Sequence, residues 1–203
     1  MQPSREGDAL PGPATPAAAG LTDSDEARLI GRIAAGELRA FEAMYRAYHP
    51  RLTRFLERMT RRPGLVDEVL NDTLLVVWHR AGRYNGCSKV STWIFGIAYR
   101  KALKALQRFD APVSDEGADE RVEWRPGPEQ LFGQSELHAA LLHALDALSP
   151  AHRAVVDLTY FHGMGYREIA EIADCPVDTV KTRMFHARRR LKALLPGRKE
   201  DWL

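Results

Sequence analysis

The thirty residues from Tyr166 to Leu195, YREIAEIADCPVDTVKTRMFHARRRLKALL, decide how this chain is read. Ile169, Ala170, Ile172 and Ala173 recur at helical spacing, and Val180, Met184, Ala187, Leu191 and Leu194 do so again further on. Asp174-Cys175-Pro176 lies between them, and a residue preceding proline is disfavoured in helix, so the first run ends there. The pattern predicts a helix over 166–173, a three- or four-residue turn and a helix over 177–195, which is the helix-turn-helix arrangement. The second helix carries Lys181, Arg183, Arg188, Arg189, Arg190 and Lys192 with only Asp178 opposing them. Its inward stripe leaves Lys181, Thr182, Arg183, Phe185, His186 and Arg190 outside or flanking. Such a face suits a major groove, where residues near the helix start reach base edges and later cations meet phosphate. The plainer reading of the charge pattern alone is a solvated face on an ordinary bundle helix. The preceding helix and turn favour DNA.

Working back from this motif, helices are expected over 151–161 and, with Leu137, Leu141, Leu145 and Leu148 on one side, up to Ser149-Pro150. A separate block nearer the N-terminus is also helical. Leu29 and Ile33, then Phe41, Met44, Tyr45 and Tyr48, then Leu52, Phe55, Leu56 and Met59 repeat at three- and four-residue intervals, with no strand-like alternation. Boundaries are expected at Asp23-Ser24, Gly36, His49-Pro50 and Pro63-Gly64, followed by helices over 65–79 and 91–108. The chain therefore reads as all-α, with two small helical domains at 23–109 and 135–196. Residues 1–22 form a Pro/Ala/Gly tail, 110–134 a flexible linker and 197–203 a short end.

The whole chain of 203 residues holds 29 Lys plus Arg against 27 Asp plus Glu, but the balance is uneven along it. Residues 27–109 hold 16 basic and 6 acidic residues, whereas 110–136 hold 2 and 8. Adjacent basic and acidic blocks imply surfaces with different partners. No apolar run approaches the ~20 residues that a membrane helix needs, so membrane insertion is not expected. Cys87 and Cys175 stand alone, offering neither a disulfide framework nor a zinc site, and a reducing cytoplasm is the default. There is no HExxH pair, Walker loop or GxSxG elbow, so no catalytic residues, metal or cofactor are expected and an enzyme is disfavoured.

Two features of the first block bear on binding. On the helix over 65–79, Val66, Val69, Leu70 and Val77 point inward, while Asp67, Glu68, Asn71 and Asp72 lie together on another side beside Leu74 and Leu75. This is either a protein-binding face or a helix start decorated with acids to suit its dipole, worth a few tenths of a kcal/mol. The loop from Tyr84 to Val90, with Asn85 and then Ser91, Thr92 and Trp93, mixes aromatic and hydrogen-bonding groups near Lys89, Arg100, Lys101 and Lys104. That mixture suits an unstacked base on single-stranded DNA, where stacking contributes ~1–3 kcal/mol per base. Trp93 reads equally as core.

At this point the chain resembles a known family. Leu148-Ser149-Pro150, Tyr166 to Ala170, Asp178 to Arg183 and Ala187-Arg188 are similar to region 4 of the extracytoplasmic-function (ECF) sigma factors of bacterial RNA polymerase. Val66 to Trp78, with Ser91 to Phe95 and Ile97-Ala98, resembles region 2. The resemblance implies a subunit that gives core RNA polymerase its promoter specificity. Asp67, Glu68, Leu70, Asn71, Asp72, Leu74 and Trp78 would meet the clamp coiled coil, and region 4 the flap. Tyr84, Asn85, Ser91, Thr92, Trp93, Arg100, Lys101 and Lys104 would hold the opened −10 strand. Lys181, Thr182, Arg183, Phe185, His186, Arg188 and Arg190 would hold the −35 duplex. An anti-sigma factor is implied as a further partner. The acidic linker would mimic RNA phosphate in a basic channel or simply tether. The chain departs from the family at Gly96, where a basic residue is usual, at Arg100, where Asn is frequent, and at His186, often Arg. The competing reading is a helix-turn-helix regulator that binds duplex DNA without serving as a polymerase subunit.

Overall fold

The computed structural model describes residues 21–110 and 144–194. The expected tail, most of the linker and the helix through Leu137 and Leu141 lie outside them. In the first unit, α1 (Asp23–Ala34) is set by a capping box: the Thr22 hydroxyl accepts from the Asp25 N–H, and the Asp25 carboxylate accepts from the Thr22 N–H. The Thr22 hydroxyl and then the Thr22 N–H, both donating to the Asp25 carboxylate, with Arg28 adding to them, hold that carboxyl below its ordinary value. Gly36, at φ 83°, supplies the left-handed residue after the helix.

One boundary expected from the sequence is not there. The second helix, α2 (Leu38–Thr60), runs through Pro50 without stopping. Proline removes one backbone donor and crowds the preceding turn. Here the apolar stripe continues in phase on both sides of it, and Met44, Tyr48, Leu52, Phe55, Leu56 and Met59 are all fully buried. Breaking the helix would expose half of that stripe, a larger loss than one hydrogen bond. The Thr53 hydroxyl donates to the His49 carbonyl within this turn.

Pro63, at the first position of α3 (Pro63–Arg80), starts a helix where its missing N–H is no loss. A single 3₁₀ turn (Ala81–Arg83) and the loop through Ser88 lead into α4 (Val90–Asp110). These four helices enclose the first core, with α2, α3 and α4 mutually packed and α1 laid across α2.

The second unit has α5 (Pro150–Tyr160), α6 (Tyr166–Ala173) and α7 (Val177–Leu194). Ser149 caps α5 and Pro150 occupies its first turn. Asp174 takes the left-handed conformation (φ 48°) that ends α6, a role that Asp fills more readily than a branched residue. Val180, Met184 and Ala187 of α7, Ile169 and Ile172 of α6 and Val155 and Leu158 of α5 are buried where these helices pack, in a cluster continuous with that of the first unit. Helices α1 to α4 form the first unit and α5 to α7 the second. The units also touch: α5 packs on α2, and α6 on α4.

Candidate nucleic-acid and polymerase interfaces

The outer face of α7 is built by the phase of its core stripe. With Val180, Met184 and Ala187 inward, Thr182, Phe185, His186 and Arg189 project away from the protein. Arg189 is a residue that the sequence reading left out of the DNA-facing set, although the 3.6-residue period places it opposite the stripe. Phe185 is 62% exposed, the most exposed large apolar side chain among the described residues, with the His186 ring edge-on at 5.5 Å. Among the described residues this apolar ring, at the centre of a basic face, packs edge-to-face only on the neighbouring His186 ring. It is chemically suited to a thymine methyl.

The flanks of α7 differ. Lys181 pairs with Asp178 at 3.0 Å, and the Thr182 hydroxyl donates to the Asp178 carbonyl, so both are pre-placed at the start of the helix. Arg188 donates to the Tyr160 hydroxyl at 2.8 and 3.2 Å, which holds it toward α5, while Arg190 is exposed. Arg183 is half-buried, with its Nη1 3.8 Å from Cys175 Sγ. It also neighbours Tyr99 of α4: burial raises the Tyr99 phenol above its ordinary value, and the Arg183 guanidinium works against that rise. His152 of α5 lies edge-on to His186 at 6.4 Å, and burial, His186 and Arg183 together hold its imidazole below the usual range.

In the first unit, the loop after α3 is ordered by its own bonds. The Tyr84 hydroxyl donates to the Ser88 carbonyl, and the Asn85 side chain accepts from the Cys87 N–H. The Tyr84 and Trp93 rings lie 5.4 Å apart at 46°, both half-buried, so each keeps an accessible surface. Asn85 is exposed and Ser91 half-exposed. Thr92 is not available: it is 3% exposed and its hydroxyl points into the core, which removes it from the expected strand-binding set. As the third residue of α4 it lies about 100° round the helix from Ser91, which turns it to the buried side.

Lys101 and Lys104 are also displaced from that set. Lys101 pairs with Asp72 at 2.7 Å, and together with Lys104 and Arg108 it lines a groove against Glu68 and Asp72 of α3. Three and four turns along α4 from the loop, these cations complete the acidic face of α3 instead of continuing the aromatic site. Arg100 remains exposed, with its guanidinium lying back over Gly96.

On α3, Asp67, Glu68 and Asn71 are exposed and Asp72 is half-exposed, as the amphipathic pattern requires. Leu70 and Leu74, expected at the polymerase contact, are core residues at 1% and 2% exposure. Leu75, one residue further round and 53% exposed, is the apolar side chain that this face presents. Trp78 is half-buried and packs edge-on to Phe41 at 5.2 Å. Among the described residues there is no cluster of His, Cys, Asp and Glu that could hold a metal, and no helix long and apolar enough to cross a membrane.

A helical bundle with an acidic face and an aromatic loop, followed by a helix-turn-helix unit with a basic outer face, has the architecture of a DNA-binding protein. Comparisons with known proteins narrow this. Residues 44–111 match the family model of Sigma-70 region 2 and residues 138–191 that of Sigma-70 region 4. The chain is 27% identical over 187 residues to the RNA polymerase sigma-H factor of Pseudomonas aeruginosa, covering 87% of this chain and 97% of that one. It is 28% identical over 173 residues to the ECF RNA polymerase sigma-E factor of Escherichia coli, covering 80% and 90%. Among solved structures, it resembles RpoE of Bartonella quintana, bound to the anti-sigma factor NepR, with TM-score 0.62 and 25% identity over 76% of this chain and 95% of that one. It also shares the fold of CnrH, solved with the cytosolic domain of CnrY, with TM-score 0.63 and 24% identity over 83% and 96%.

The chain belongs to the sigma-70 family, in its extracytoplasmic-function group. It is a promoter-recognising sigma factor, and the regulator that acts without polymerase is not favoured, since it leaves the region 2 unit unexplained.

Proposed function

We propose that the two interfaces divide promoter recognition as the geometry of each suggests. The observation that carries this is the outward face of α7, where Thr182, exposed Phe185, His186 and Arg189 stand between flanking Lys181, Arg183, Arg188 and Arg190. Such a helix enters the major groove of the −35 element with Phe185 against a thymine methyl and the flanking cations on phosphate. Tyr84, Asn85, Ser91 and Trp93, with Arg100 and Lys89 nearby, capture the opened −10 strand by stacking and backbone attraction. Asp67, Glu68, Asn71, Asp72 and Leu75 of α3 dock on the polymerase clamp, and Trp78 supports them from below.

In this reading the chain supplies recognition and melting, performs no catalysis itself and works in the cytoplasm beside core polymerase. The complex of the Bartonella relative with NepR supports an anti-sigma partner for this chain as well. The matched ranges 44–111 and 138–191 support two domains, which we draw near 23–109 and 135–196.

The test is Lys181→Ala with Arg183→Ala, assayed with core polymerase. Affinity for −35-containing promoter is expected to fall at least tenfold, with a smaller salt slope, as two phosphate-facing cations are lost. Affinity for core should be unchanged. Loss of core binding with −35 dependence intact would show that the two surfaces are assigned the wrong way round.

A further inference from the structure

Helix α5 brings one of its own side chains to the outer face of α7. His152, the third residue of α5, stands edge-on to His186, with ring centroids 6.4 Å apart and ring planes at 83°. His186 is exposed and also meets the Phe185 ring at 5.5 Å. His152 is half-buried and fixed in place: its Nδ1 lies 2.6 Å from the Ser149 hydroxyl, which also accepts from the His152 N–H. That contact with Ser149 is the one side-chain hydrogen bond of either ring among the described residues.

The charges around the two rings are cationic. On α7, Arg183 acts on His152, and Arg189 is exposed three residues on from His186. On α5, Arg153 follows His152 but turns its guanidinium to the Leu148 and Arg58 carbonyls, at 3.1 and 3.3 Å. Tyr99 of α4 and Cys175 of the turn meet Arg183 and not the rings. The carboxylates of the packed elements are engaged elsewhere: Asp157 by Arg58, Asp146 by Arg61, Glu168 by Lys89 and Asp178 by Lys181. Glu171 and Asp174, exposed on and just after α6, pair with neither ring. His152 also lies in the first turn of α5, where the helix dipole opposes a cation. Burial, His186 and Arg183 all act against its charged form and hold the imidazole below its usual range. Two charged imidazoles this close, with no carboxylate among the described residues to serve them, repel; an anion from outside removes that cost.

We propose that His152 and His186 together form a proton-linked contact to the −35 duplex, taking up about one proton from solvent when a DNA phosphate reaches the pair and returning it on release. This makes His152 a −35 residue on a helix outside the helix-turn-helix, and it rests on the placement of α7 in the major groove proposed above. A neutral imidazole offers one N–H. The protonated ring offers two donors and a charge, and its hydrogen bond to phosphate is roughly twice as strong as a neutral one. Phosphate raises the pKa of the pair in the complex above that in the free protein. The extra affinity is therefore complete below the free value and is lost as pH rises through the raised one. Because the free His152 value is depressed, this window opens below the ordinary imidazole value of about 6.5. Lys181 and the arginines of α7 stay charged throughout it, so they set the level of binding and the imidazoles set its change with pH.

The experiment uses holoenzyme assembled from the full chain and core polymerase. It compares a promoter fragment with one whose −35 element is scrambled, between pH 6 and pH 8 at fixed ionic strength. The ratio of the two affinities isolates the −35 contribution. For the parent it is expected to fall about fivefold or more across that range. His186→Arg, whose charge does not titrate, is expected to hold the ratio at its pH 6 level throughout. His152→Gln is expected to lower the ratio at pH 6 by about threefold or more and to flatten the profile. His152→Gln combined with His186→Gln should remove the pH dependence. Titration calorimetry in two buffers of different ionisation enthalpy should count about one proton taken up by the parent and none by His186→Arg. Circular dichroism checks that each variant is folded. A flat ratio in the parent, an unchanged profile in His152→Gln, or a slope that survives in the double variant overturns the inference while the −35 assignment stands. A parent that fails to distinguish the scrambled fragment at any pH overturns that assignment, and the inference with it.

Discussion

Single residues are where sequence and structure part most clearly, and α3 shows why. Leu70, Leu74 and Leu75 are chemically alike, and only the exact phase of the helix decides which of them is buried. The amphipathic pattern of Asp67, Glu68, Asn71 and Asp72 locates the face, but an inward stripe five or six residues wide leaves its edges undecided. The structure puts Leu70 and Leu74 inside and Leu75 outside. Two measurements separate these roles. Leu70→Ala is expected to lower unfolding free energy by about 2–5 kcal/mol in chemical denaturation, as for any buried Leu. Leu75→Glu should leave stability within about 0.5 kcal/mol, as exposed substitutions do, while weakening core polymerase binding at least tenfold. Thr92 illustrates the same limit: Ser91 and Thr92 are neighbours in sequence, yet the first is half-exposed and the second buried.

Glu26 gives a residue-scale test in pH. Its carboxylate is 3% exposed, close to Tyr48 and 3.4 Å from Arg51, with one oxygen lacking any hydrogen bond. Burial raises its pKa above the ordinary value, against the opposing pull of Tyr48 and Arg51. The folded state therefore holds this proton more tightly than the unfolded chain does. Stability from this group is greatest below the ordinary carboxylate value and declines as pH rises through the raised one. Glu26→Gln, which cannot ionise, is expected to raise Tm at pH 7 and to flatten that decline. A lower Tm at pH 7, with the slope retained, would mean that Arg51 outweighs the burial.

Among the elements, α6 and α7 were the most legible in sequence, and the reason is chemical redundancy. Core period, a proline-containing turn and one-sided charge all specify the same two helices, which end within a residue of where the pattern puts them. Helix α2 was the least legible, because a local proline signal pointed against a longer-range stripe, and burial of that stripe prevailed. The DNA face of α7 carries its own prediction. Arg190→Ala should weaken promoter binding evenly across −35 sequences and reduce the salt slope by about one phosphate contact, measured by titration over a range of salt. Phe185→Ala should instead weaken discrimination at one base position. For α5, Ser149 accepts from the His152 N–H and its hydroxyl lies 2.6 Å from His152 Nδ1. Ser149→Ala is expected to cost about 1 kcal/mol in unfolding free energy, the usual value of an N-cap.

The molecule as a whole has a property that no motif announces. Region 2 and region 4 are recognisable from separate stretches of sequence, but the contacts between them join residues about a hundred positions apart, such as Arg58 with Asp157. Periodicity reports what faces a helix's own core and is silent on which partner covers the remaining surface. The near-neutral total of 29 basic and 27 acidic residues conceals this organisation too, since the first block and the last helix are rich in cations while α3 exposes carboxylates. The molecule's role, giving polymerase a choice of promoter, depends on both units acting on one DNA at once.

That role is tested most directly by in vitro transcription from a library of genomic fragments, with core polymerase and the purified chain in the absence of any anti-sigma protein. The account predicts transcripts that start at a restricted set of sites sharing a −10 and −35 pair, and that disappear when the chain is omitted. Initiation no more selective than that of core alone would contradict it.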